Sequence, residues 1–151
     1  MAKTTILVQE ADFEIGYLSE AVRTDDASSG AIVTFTGVVR ELNDNASLQA
    51  LFLEHYPGMT EQSLQNIADL ARNRWDLGNI VICHRVGRLC LNDNIVFVGV
   101  GSAHRVNAFA AAQFIMDYLK KDAPFWKKEI TADGENWVEQ KDSDLDAANK
   151  W

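Results

Sequence analysis

Asn94–Arg105, NIVFVGVGSAHR, decides how the rest of the chain is read. Its first part, Asn94–Val100, is apolar on both faces of a two-residue repeat, which marks a strand covered on either side and hence central in its sheet. Ser102-Ala103-His104-Arg105 follows at once, and Asn107 is a suitable cap for a helix through about Lys121. Phe109, Ala112, Met116 and Leu119 are spaced to form the buried stripe of that helix. A central strand feeding a long amphipathic helix predicts a protein of mixed α/β class.

Working outward, Thr4–Val8 reads as a short strand, and Asp12 as the N-cap of a helix through about Arg23. Thr24–Gly30 is a loop. Ala31–Arg40 has the β-branched and aromatic content of a strand, with Leu48–Tyr56 as its expected antiparallel neighbour and residues 41–47 as a mobile surface loop between them. After Pro57-Gly58, Thr60 caps a helix with Leu64, Ile67, Ala68, Ala71 and Trp75 on one face, closed by Gly78. Asn79–Val86 is a further strand, joined to the central one through GRLCLND. Beyond a break at Pro124, Lys127–Ile130 and Trp137–Gln140 form a hairpin around Asp133-Gly134. No internal repeat or low-complexity segment is visible.

The composition sets bounds. A chain of 151 residues with 47% hydrophobic and 24% charged residues reads as one globular domain, residues 1–151, without linker-like sequence. No apolar run is long enough to span a bilayer, and the N-terminus meets Glu10, Asp12 and Glu14 too soon for a secretory signal, so a cytoplasmic protein is expected. The net charge of −8, from 14 basic and 22 acidic residues, argues against a broad nucleic-acid or anionic-membrane surface. Cys83 and Cys90 make neither a CxxC pair nor a convincing metal set and read as reduced thiols, and strand alternation sends Cys83 and His84 to opposite faces.

Against that acidic background, the basic residues of Phe114–Glu129, FIMDYLKKDAPFWKKE, stand out. Lys120 lies at the edge of the helical apolar stripe, with Lys121 turned about 100° away toward water. Two readings of Lys120 are open. A cation in the last turn complements the helix macrodipole and needs no chemical role, whereas a lysine held against Phe125 and Trp126 among other cations can act as acid, base or acyl acceptor. Lys127 and Lys128 alternate on a strand, so one enters a pocket while the other stays solvated. His104-Arg105, between a central strand and a helix N-terminus, occupies a place where anions commonly bind, and Arg40 at a strand end is a similar case.

TFTGVVR at Thr34–Arg40, LEHYPGMTE at Leu53–Glu61, ARNRW at Ala71–Trp75, SAHR at Ser102–Arg105 and the Phe114–Glu129 run, in that order, closely resemble the large, catalytic subunit family of molybdopterin synthase. The resemblance covers nearly the whole chain. It implies an α/β hammerhead fold with an additional antiparallel β subdomain, acting as a homodimer within a heterotetramer. Each partner would be a small ubiquitin-like sulfur-carrier subunit ending in a Gly-Gly thiocarboxylate. The implied reaction transfers two sulfurs to cyclic pyranopterin monophosphate, giving the molybdopterin dithiolene, with no metal or organic cofactor.

By the same resemblance, Lys120 and Lys127 are the catalytic residues. Val38, Val39, Arg40, His104, Arg105, Lys128 and Glu129 complete the substrate-binding set. Val38 stands where the family pattern often has lysine, removing a charge. Lys141 stands where arginine is frequent, keeping the charge without the bidentate fork. Two rival functions share the sequence: a non-catalytic module that binds a ubiquitin-like tail, and a sulfurtransferase carrying persulfide on Cys83 or Cys90.

Overall fold

The computed structural model describes residues 2–41, 48–138 and 142–151. Within them, β6 (Asn94–Ser102) lies inside a sheet, as its two-sided apolar pattern requires. Its neighbours are β4 (Ile80–Arg85) and β2 (Ala31–Val38), both antiparallel to it, and β1 (Thr4–Gln9) adds to β4 in parallel. The order is β1-β4-β6-β2.

The period of two sorts β4 between two cores. Ile80 and Ile82 face α2 (Met59–Arg74) and α3 (Arg105–Asp122), in a cluster with Leu64, Ile67, Val98, Phe114 and Ile115. Val81 and Cys83 face α1 (Ile15–Arg23), packing with Phe13, Leu18, Val22 and Phe97. Gly99 allows α1 to come this close, since a Cβ there would meet Val22 Cγ2 at 2.5 Å.

A second sheet, ordered β5-β3-β7-β8, is formed by β5 (Gly87–Cys90), β3 (Leu48–His55), β7 (Phe125–Thr131) and β8 (Gly134–Val138). Here the expectation for Leu48–Tyr56 is corrected: β3 pairs with β5 and β7, not with β2. The register of β2 slips between Gly37 and Val38, and Val39 leaves the first sheet to exchange backbone hydrogen bonds with Asp93 and Asn92. Val39 then joins Leu48, Leu51, Leu53 and Leu89 in a separate cluster. That burial draws β3 into the second sheet.

Other elements differ from expectation in smaller ways. Leu89 is fully buried, so GRLCLND contains a strand rather than a plain connection. Asp12 does not cap α1; Glu14 holds that position, and the Asp12 carboxylate instead accepts hydrogen bonds from Phe13 N and Asn94 Nδ2. His104, not Asn107, is the N-cap of α3. The stripe of α3 centres on Ala108, Ala111 and Ile115, which leaves Phe109 62% exposed. Thr60 lies inside α2 and bridges the Pro57-Gly58 turn to the lysine segment: its Oγ1 accepts from Tyr56 N and donates to the Pro124 carbonyl.

The β7–β8 hairpin forms around the expected turn, with Gly134 at a φ of 133°, but β8 begins at Gly134, earlier than the expected Trp137. Trp75 packs edge-on against Phe114 and Trp151. A final helix, α4 (Asp142–Asn149), was not anticipated; the Trp151 that follows it donates its indole N–H to Asp117 at 2.6 Å. Of the expected mobile loop, residues 42–47 lie outside the described residues, as do Glu139, Gln140 and Lys141. No helix among the described residues is long and apolar enough to cross a membrane.

Candidate active site

Ile95 packs against both the α2–α3 core and the Val39 cluster, so it stands where the two sheets meet. A cavity of about 630 Å³ opens there. Its apolar floor comes from Leu51, Leu53, Ile95 and Leu119, and its aromatic wall from Phe125 and Trp126. Lys120, Lys121 and Lys127 also line it, and among the described residues the one lining carboxylate is Asp144 of α4. In a chain of net charge −8 this is a local reversal of sign, suited to an anionic ligand.

The position of each lysine follows from local structure. Lys120 and Lys121 close the last turn of α3, whose Ala123 N–H still bonds back to Leu119. The chain then turns at Pro124, held by Thr60, and enters β7. In β7, Lys127 sits opposite Leu53 on one side and Val138 on the other, both cavity residues. Lys121 is half-buried rather than solvated, with its ammonium 5.7 Å from the Tyr118 ring centre.

Lys128 points to the other face of the sheet, as alternation requires. There its ammonium lies over Phe52 at 5.2 Å and Trp137 at 5.3 Å and pairs with Glu135 at 3.2 Å. Glu129 returns to the face of Lys127, opposite Leu51. Val38 ends β2 and is 44% exposed, Val39 is buried with the floor residues Leu51 and Leu53, and Arg40, which follows, is exposed and is not among the residues that line the cavity.

His104 and Arg105 are exposed at the opposite end of α3. Fifteen residues of helix separate Arg105 from Lys120, about 22 Å at 1.5 Å per residue. A single chain therefore does not bring them into the lysine cavity.

Among the described residues, Ser143, Asp144 and His84 are polar members of the cavity that no sequence motif singles out as site residues, and of these three it is His84 that is buried. Its ring is 5% exposed and stacks on Phe125, with centroids 3.8 Å apart. Burial, aided by the Lys120 and His55 charges and opposed by the hydrogen bond to the Arg85 carbonyl, pushes its pKa down to about 4. The signal was present in the strand: His84 shares the Ile80/Ile82 face, the face that meets α3. Cys83 faces the other way, among Phe13 and Phe97, and burial raises its thiol to about 11. Cys90 is exposed on β5, and no group of three or more His, Cys, Asp or Glu among the described residues could hold a metal ion.

Fold and cavity together define an α/β protein with a lysine-lined cleft where its two sheets meet. The profile described as MoaE protein matches residues 8–122, and the chain belongs to that family. It is 56% identical over 153 aligned residues to the molybdopterin synthase catalytic subunit of Escherichia coli (strain K12), covering 100% of both chains. Among solved structures, it resembles the molybdopterin biosynthesis MoaE protein of Burkholderia ambifaria, with a TM-score of 0.85 at 46% identity, covering 100% of this chain and 98% of that one. Molybdopterin synthase from Staphylococcus aureus is similar at a TM-score of 0.81 and 32% identity, covering 89% of this chain and 96% of that one.

Proposed function

We propose that this chain is the sulfur-transferring catalytic subunit of a molybdopterin synthase and that Lys120 and Lys127 carry its chemistry. The observation that bears most weight is the gathering of both lysines around one apolar-floored cavity at the sheet junction. The C-terminal Gly-Gly thiocarboxylate of a small ubiquitin-like subunit enters this cavity, and its sulfur attacks cyclic pyranopterin monophosphate, whose cyclic phosphate opens in the course of the reaction. Water then cleaves the acyl–sulfur bond, leaving the sulfur on the pterin and a carboxylate on the small subunit. Two such transfers form the dithiolene of molybdopterin. Lys120 moves protons and assists acyl transfer at the thiocarboxylate, while Lys127 stabilises the negative charge that develops on the intermediate. Val39, just after β2, and Glu129 of β7 contribute to substrate binding, and Arg40 holds the phosphate-bearing substrate electrostatically. The reaction takes place in the cytoplasm and uses no metal or organic cofactor.

His104 and Arg105 serve a site on a second copy of the chain, because the length of α3 keeps them from their own lysines. Their neighbours support such a contact: Val106 and Phe109 are 71% and 62% exposed, and α3 packs on β2, which exposes Phe35 and Val38. A shared site has a specific consequence. Co-folding inactive Lys120→Ala and Arg105→Ala chains should restore about a quarter of normal turnover, since half the twofold dimers are hybrids with one intact site each. Zero recovery from proven hybrids overturns the shared site.

A persulfide on Cys83 is disfavoured by the burial of that residue, its raised thiol pKa and its position on the far face of β4, and one on Cys90 by its place on β5, outside the residues that line the lysine cavity. The deciding experiment mixes the protein with thiocarboxylated small subunit and the cyclic pterin and assays dithiolene product. Bound partner without product would reduce the chain to a tail-binding module.

A further inference from the structure

We infer that His84 is a positioning residue for Lys120, presenting a fixed lone pair on Nε2 that accepts a hydrogen bond from the lysine ammonium and aims it into the cavity. The inference rests on the proposed role of Lys120 and adds a residue to it.

Three observations carry it. First, the tautomer is determined by geometry. His84 Nδ1 lies 2.8 Å from the Arg85 carbonyl oxygen, which can only accept, so the proton is on Nδ1 and the lone pair of the neutral ring is on Nε2. Second, the ring is immobilised. Phe125 stacks on it at an interplanar angle of 18°, and the Arg85 residue is itself tied down, its guanidinium donating to the carbonyls of Glu10 and Asn94. Third, His84 and Lys120 line the same cavity, and the lysine charge is near enough to act on the imidazole. Among the described residues, the other charged and titratable groups that line the cavity or act on the ring are Lys121 of α3, Lys127 of β7, Asp144 of α4 and His55 of β3. A neutral imidazole adds no fourth cation among these lysines, yet supplies the directional acceptor that a flexible four-carbon stem lacks.

The test compares variants in the dithiolene assay with the small subunit present. His84→Phe keeps the flat ring against Phe125 without any nitrogen. His84→Asn keeps a donor for the Arg85 carbonyl but places no atom at Nε2, and His84→Gln returns an acceptor within reach of it. Expected are a fall in kcat of about tenfold or more for Phe and Asn, little change in KM, and kcat within about threefold of normal for Gln. Adding His84→Phe to Lys120→Ala should cause no further loss, because a residue that acts only through Lys120 has nothing left to position. Should the Phe variant not fold, the Asn and Gln pair gives the same decision. Normal kcat in both Phe and Asn, an equal fall in Gln and Asn, or multiplying losses in the double variant would each overturn the inference. If Lys120→Ala itself turns over normally, the reading of the site fails first; if Lys120→Ala is crippled and His84→Phe is not, only the role of His84 fails.

Discussion

The two sheets are built from similar strands and put to different uses. In the first, Ile80 through His84 of β4 are all buried, and helices cover both faces. In the second, β8 is exposed from Gly134 to Trp137 and most of β7 is only half-buried. One face of β7 looks into the cavity with Lys127, and the other cradles Lys128 between Phe52 and Trp137. The dry sheet holds the geometry, and the partly wet one can carry cations, which a fully buried face would tolerate only if they were paired.

Substitutions in the two regions should therefore fail in different ways. The largest effect is expected from Lys120→Ala, with turnover lowered by about 10²–10⁴-fold and little change in Tm, since an exposed side chain at a helix end contributes little to stability. Steady-state assay and thermal melting on the same preparation check both halves. Phe97→Ala should show the converse: Phe97 is fully buried beneath α1, and its loss should cost about 3–5 kcal/mol in denaturant unfolding while the folded fraction keeps its turnover. Equal damage to both properties in either variant would break the division between scaffold and site.

Lys127→Ala should lower kcat by about 10²-fold, the usual cost of one charge-stabilising donor, whereas Lys128→Ala on the opposite face should leave kcat within about threefold and cost about 1 kcal/mol of stability through its Glu135 and aromatic contacts. Parallel kinetics on the pair sharpen the two-faced reading of β7. His84 links the sheets by pH. Its ordinary pKa is about 6.5, and in the folded chain it is about 4. Between those values the unfolded chain binds the extra proton, so the His84 contribution to stability is complete above about pH 6.5, declines as the pH drops, and declines no further below about pH 4. Denaturant melts across that window should show a slope that His84→Gln removes. The smallest effect belongs to Cys90→Ser on exposed β5, with stability within about 0.5 kcal/mol and turnover unchanged.

Much of this was readable in one dimension because short-range patterns carry it. The period of two in Asn94–Val100 made β6 interior, and the Pro124 break put Lys120 and Lys127 on either side of one turn. Alternation in Lys127-Lys128 put the two lysines on opposite faces of β7, but the face of Lys128 is not the solvated one expected, since its ammonium lies over Phe52 and Trp137 and pairs with Glu135. Strand partnership was not readable in this way. β3 follows β2 in sequence yet pairs elsewhere, because a register slip at Gly37–Val38 and the burial of Val39 with Leu89 outweigh sequential adjacency. The stripe expected for α3 holds at Ala112 and Leu119, but Phe109 is exposed and Ala108, Ala111 and Ile115 take the buried positions beside it.

By itself, the sequence determined the α/β class, the resemblance to one enzyme family and the lysines on which the chemistry is proposed to rest, since each is written in local periodicity and contiguous motifs. Only the tertiary structure decided that His84, thirty-six residues before Lys120, shares its cavity, and that Arg105, only fifteen residues away, does not. The physical reason is the same in both cases. A rigid helix keeps residues near in sequence apart at 1.5 Å per residue, while the packing of β4 beneath that helix brings distant ones together.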